Sequence, residues 1–104
     1  MSEHPQRGEQ EVREFAKVML GKLEENRYKG VLRGNPSWAL IDLREEVKEL
    51  AEEISEKPPV SAGQEAYERW AERVGRECAD VANYALIVAA SVGALPGIDA
   101  EVEL

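Results

Sequence analysis

A chain of 104 residues has room for one modest core, so a single domain is expected. With 21 acids against 13 bases the formal net charge is −8, which argues against binding a nucleic-acid polymer through a general basic surface. The single cysteine, Cys78, rules out an internal disulfide and a cysteine-rich zinc site, and the single histidine, His4, leaves no His-based metal site or catalytic triad.

Aromatic residues are few, while Ala, Glu, Leu, Lys and Arg are plentiful, a mix that favours an all-α fold. Residues 1–8, MSEHPQRG, read as a disordered polar leader without the pattern of a signal peptide. The apolar run ALIVAASVGAL is too short for a membrane span, so no membrane partner and a cytoplasmic location are expected.

A first amphipathic helix is predicted from Glu9 to about Arg27, with Val12, Phe15, Ala16, Met19, Leu20 and Leu23 at helical spacing. The stretch YKGVLRGNP, residues 28–36, holds two glycines and a proline and reads as a loop, with Arg27, Lys29 and Arg33 beside or within it. A second helix, capped by Ser37, is predicted from Trp38 to about Glu56, where KPPVSAG stops it. The third runs from Gln64 to about Ala94 and ends at LPG. Gly75 inside it implies that a neighbouring backbone packs closely there. The domain therefore covers residues 9–95, and 96–104 form an acidic tail. Three helices leave part of a bundle uncovered, so oligomerisation into a homodimer or homotetramer with a four-helix-type core is expected.

The acids are patterned. On the second helix Leu40, Leu43, Val47, Leu50 and Ile54 form the predicted core stripe. Beside it Asp42, Glu46, Glu49 and Glu53 share a sector of roughly 60°, with Glu45 about 40° further out. A solvated flank would produce such a pattern too. The third helix differs: Trp70, Val74, Val81, Tyr84 and Val88 fall in a sector of roughly 80°, and Glu77 lies inside it with Asp80 about 60° to one side. A carboxylate aimed at a core is costly unless it is paired, hydrogen-bonded or bound to a metal. Packing the two helices together would cluster Glu46, Glu49, Glu77 and Asp80. An all-oxygen set suits Mg²⁺, with Mn²⁺ as a substitute, and Mg²⁺ is commonly shared with substrate phosphates. The competing compensation is a salt bridge from Arg73 or Arg76 of a neighbouring subunit. A diiron bundle would need Glu-x-x-His pairs, which neither helix carries.

EEVKE at 45–49 followed by ECAD at 77–80 resembles the two-part EExxE…ExxD signature of the MazG-like all-α nucleoside triphosphate pyrophosphohydrolases. KLEENRYKG, the tryptophan after it, LREEVKELAEEI and ECADVANYALIVA are similar to the short phage and bacterial members, from about residue 12 to 92. The resemblance implies hydrolysis of a (deoxy)nucleoside triphosphate to monophosphate and pyrophosphate. It implies that Glu46, Glu49, Glu77 and Asp80 hold Mg²⁺ and that Glu45 or Glu49 orients or deprotonates the attacking water. Asn83, three residues beyond Asp80, could read a base or sugar hydroxyl, or could be a buried amide satisfied by backbone. Lys29 and Arg33 could contact phosphates or be solvated loop bases, and Trp38 could stack on a base or pack. A different class of function, a non-catalytic acidic helical bundle that binds a basic partner, nucleotide or metal, stands beside the enzymatic one.

Overall fold

The computed structural model describes residues 8–26 and 36–95, and among them every regular element is helical. Helix α1 spans Glu9–Asn26, with Glu9 and Glu11 in its first turn. Acids there suit the positive end of the helix dipole. Arg13 pairs with Glu9 at 2.7 Å and Lys17 with Glu14 at 2.8 Å on its exposed side. Helix α2 spans Pro36–Ser55 and so begins two residues before the expected Trp38. Proline has no N–H to satisfy and a helical φ already set, which makes Pro36 a starter of the helix rather than the end of a loop.

Residues 58 and 59, both proline, then break the chain, and a 3₁₀ turn at Val60–Ala62 leads into α3, Gln64–Ser91. Helix α3 ends three residues before the expected Ala94. Gly93 takes φ +73°, its N–H bonds the Ala90 carbonyl at 3.1 Å, and the Ala94 N–H bonds that of Ala89 at 2.9 Å. This paired closure uses a left-handed residue just past the helix, so Gly93 sets the stop and the later proline is not needed. Gly75 corrects another expectation: a Cβ built there meets nothing within 4 Å, so no backbone packs against it.

Helix α3 is the shared partner of the other two. Along α2 the pairs descend as α3 ascends: Trp70 Nε1 donates to the Glu53 carbonyl at 2.8 Å, and Arg73 Nε donates to Glu53 Oε1 at 2.8 Å. Further along, Glu77 and Asp80 meet Glu46. Along α1 the order is again reversed: Arg76 Nη2 bonds Glu25 Oε1 at 2.6 Å, Lys22 Nζ lies 3.4 Å from Asp80 Oδ2, and Asn83 Nδ2 donates to the Met19 carbonyl at 3.0 Å. Both seams are therefore antiparallel. Helices α1 and α2 each pack along α3 and hardly on each other, so the three lie closer to a layer than to a closed bundle.

The layer rotates α2 away from the expected core stripe. Its more buried residues are Ala39, Leu43, Glu46, Leu50 and Glu53, alternately four and three apart, which is the spacing of a helix-to-helix seam. Leu40, Val47 and Ile54 stay 48%, 48% and 50% exposed on one flank. The acid sector thus moves toward α3, and part of the leucine-valine stripe moves toward solvent. Among the described residues the fully enclosed apolar side chains are small or few: Ala39, Ala79 and Ile87. No helix there is long and apolar enough to cross a membrane.

Candidate metal centre

The candidate centre lies midway along the α2–α3 seam. Glu46 and Glu49 sit about 60° apart on α2, while Glu77 and Asp80 occupy the same relation on α3. Because the seam is antiparallel, the two pairs face each other. Glu46, Glu77 and Asp80 each offer one carboxylate oxygen, and those oxygens lie within 4.8 Å of one another. Asp80 is only 8% exposed. The Oε2 atoms of Glu46 and Glu77 are buried and have no hydrogen-bond partner among the described residues.

Like charges in a confined seam disfavour ionisation. Burial first, then a side-chain hydrogen bond with Glu49 and the charges of Glu49, Asp80 and Glu77, push the Glu46 carboxyl up to about 7. Burial, reinforced by Asp80 and Glu49, also pushes Glu77 above the usual carboxylate range, with Lys22 opposing it. Tyr84, half-buried beside the cluster, is raised by burial and by the negative charges of Asp42, Glu46, Asp80 and Glu49.

The compensation is partial and comes from an unexpected direction. Arg73 pairs with Glu53 and Arg76 with Glu25, so within the protomer neither arginine pairs with the cluster. Lys22 of α1 does, 3.4 Å from Asp80, with only 11% of its side chain exposed. Lys22 is not among the residues that the acid pattern singles out. Its signal was positional: it follows Phe15 by seven residues and so lies about 20° from it, at the edge of the apolar face.

The other candidates fall in different places. Glu49 stands beside Glu46 and completes the set of four acids at the seam. Glu45 is exposed on α2, turned about 100° from Glu46. Trp38 is 73% exposed in the first turn of α2, well away from the acid quartet along the helix. Asn83 is fully enclosed, its amide nitrogen committed to the Met19 carbonyl and its Oδ1 without a partner. Lys29 and Arg33 lie outside the described residues, as do the leader before Gly8 and the tail after Leu95.

The donor chemistry fits a hard cation. Among the described residues the group that converges is made of carboxylate oxygens, and two buried carboxylate oxygens in it lack a hydrogen-bond partner there. Compared with protein-family models, with curated proteins and with solved structures, the chain matches none of them.

Proposed function

We propose that this chain is a Mg²⁺-dependent nucleoside triphosphate pyrophosphohydrolase of the MazG-like kind. The observation that carries the reading is the convergence of Glu46, Glu77 and Asp80 from two helices, with the buried Oε2 atoms of Glu46 and Glu77 lacking a hydrogen-bond partner among the described residues. Glu46, Glu49, Glu77 and Asp80 would hold the ion. When bound, Mg²⁺ supplies a lowered pKa for water and neutralises charge on phosphate oxygens.

The chain's own groups supply the rest. Glu49, at the open side of the seam beside Glu46, accepts the proton of the attacking water; Glu45 at the rim is the reserve for that role. The water oxygen forms a new bond to the α-phosphorus while the bond from that phosphorus to the α–β bridging oxygen breaks. Pyrophosphate leaves with the bridging oxygen, and the nucleoside monophosphate remains. Lys29 and Arg33 contact phosphates in this reading, and Trp38 offers a face to the base.

A second copy of the chain belongs to the same proposal. The exposed flank of Leu40, Val47 and Ile54 supports a homodimer or homotetramer that completes a four-helix core, since burying apolar area is the main drive for such association. A cytoplasmic setting completes the reading.

The non-catalytic alternative is favoured by one observation: Lys22 already offsets part of the negative charge without any metal. A panel of nucleoside and deoxynucleoside triphosphates, incubated with and without Mg²⁺ and analysed for monophosphate and pyrophosphate, separates the two. The enzymatic reading expects paired release of both products for at least one nucleotide, lost in Glu49→Gln and in Asp80→Asn while helicity is kept. Wild-type rates in both variants, or no turnover on any nucleotide, would sink it.

A further inference from the structure

Lys22 holds an unusual position. It comes from α1, and it approaches Asp80 from the α1 seam, about 120° round α3 from the α2 seam. On the α3 wheel Asp80 lies about 60° from Glu77 on one side and about 60° from Asn83 on the other. Glu77 belongs to the α2 seam and Asn83 to the α1 seam. Asp80 therefore lies between the two seams, and its two positive partners would come from directions about 120° apart.

A buried ammonium needs a nearby counter-charge, because desolvation otherwise outweighs what its stem gains by packing. Lys22 has two within reach: Asp80 Oδ2 at 3.4 Å and Glu25 Oε1 at 3.9 Å. Glu25 is half-exposed and is also held by Arg76 at 2.6 Å, which pulls its pKa below the usual carboxylate range. It therefore stays ionised and available. A lysine placed between one buried and one half-exposed carboxylate has a second resting place when the first is taken.

We propose that Lys22 is an exchangeable internal counter-ion: its ammonium neutralises Asp80 in the metal-free protein and yields that carboxylate to a divalent cation, swinging toward Glu25. This rests on the divalent-ion reading of the centre. It goes beyond that reading by assigning α1 a role as the element that sets how tightly the cation is held. A positive charge so close to one ligand opposes cation binding, so Lys22 keeps affinity lower than the carboxylates alone would give. Lys22 is a positioning residue here, acting through Asp80.

Calorimetric titration of MgCl₂ into the wild type and into Lys22→Met, with melting curves at zero and saturating Mg²⁺, tests the exchange. Lys22→Met keeps an apolar stem and removes the charge. The expected result is a Mg²⁺ dissociation constant lowered roughly 10-fold, of the size of a typical coupling between sites. The variant should melt below wild type without Mg²⁺, since Asp80 loses its ion pair with Lys22, and the gap should close when Mg²⁺ saturates. A purely structural lysine would leave the gap open. Equal or weaker Mg²⁺ binding by Lys22→Met, with a persistent gap, overturns the exchange while leaving the centre intact. Absence of Mg²⁺ binding in both proteins overturns the centre and the exchange together. If Lys22→Met does not fold, the wild-type Lys22 ¹⁵Nζ resonance decides: it must shift as Mg²⁺ is added, and an unchanged resonance at saturation overturns the proposal.

Discussion

The two seams of α3 solve the same packing problem with opposite electrostatics. Against α1, donors meet acceptors: Arg76 with Glu25, Lys22 with Asp80, and the Asn83 amide nitrogen with the Met19 carbonyl, while Asn83 Oδ1 is left over among the described residues. Against α2, the middle of the seam gathers four acids, and at one end Glu53 meets Arg73 and Trp70. Complementary pairs lower the energy of the fold as it stands. A cluster of like charges raises it, and in the function proposed above a bound cation would offset that cost.

Breaking the α1 seam should have the largest effect. Asn83→Ala removes an enclosed donor, leaves the Met19 carbonyl without it and opens a void, for a loss on the order of 2 kcal/mol. A fall of roughly 10 °C in melting temperature is expected, with amide protection lost first in α1. Unchanged protection of α1 would show that this seam does not depend on the amide.

Relieving the α2 seam should do the reverse. Glu46→Gln removes one of the clustered charges while keeping shape, so the metal-free protein should gain on the order of 1 kcal/mol in denaturant unfolding. It should at the same time lose its response to Mg²⁺. A variant that is destabilised and still responds would contradict the reading of this seam as a strained ligand set.

The same seam predicts a pH trend. The Glu46 carboxyl, raised from 4.5 to about 7, binds its proton more tightly in the folded state than in the unfolded chain. Its stabilising contribution is complete below about 4.5 and is lost as pH rises through about 7. Metal-free melting temperature should therefore decline across that window, and Glu46→Gln should flatten the decline. Protons and cations compete for the same oxygens, so the rise in melting temperature on adding Mg²⁺ should be larger at pH 8 than at pH 6.

The smallest effect lies away from both seams. Gly75 has open space where a Cβ would go, so Gly75→Ala should stabilise α3 by about 0.5–1 kcal/mol. A loss instead would mean that this face is covered in solution by another copy of the chain.

Helical periodicity made the three helices and the convergence of Glu46, Glu77 and Asp80 legible, because each is a matter of spacing along one helix plus a single antiparallel pairing. What it left out is rotational and long-range. The apolar stripe of α2 is wide enough to seat in more than one orientation, and the choice that puts Glu46 and Glu53 in the seam is made by α3, not by α2 alone. Lys22 joins the cluster from 58 residues away in sequence, and a lysine beside an apolar face reads the same whether it reaches solvent or a buried aspartate. The end of α3 is not legible in the sequence, because Gly93 sits in a run of small and apolar residues that continues the helical pattern, while its positive φ is what breaks it.

Manganese titration followed by electron paramagnetic resonance reports the central claim most directly, since the free ion gives a signal that bound ion loses. With the wild type, the free Mn²⁺ signal should fall saturably as protein is added, Mg²⁺ should restore it, and the Glu46→Gln/Glu77→Gln variant should leave it untouched. A wild-type protein that never depletes the free ion, or a double variant that depletes it equally well, would mean that the acids between α2 and α3 are no cation site.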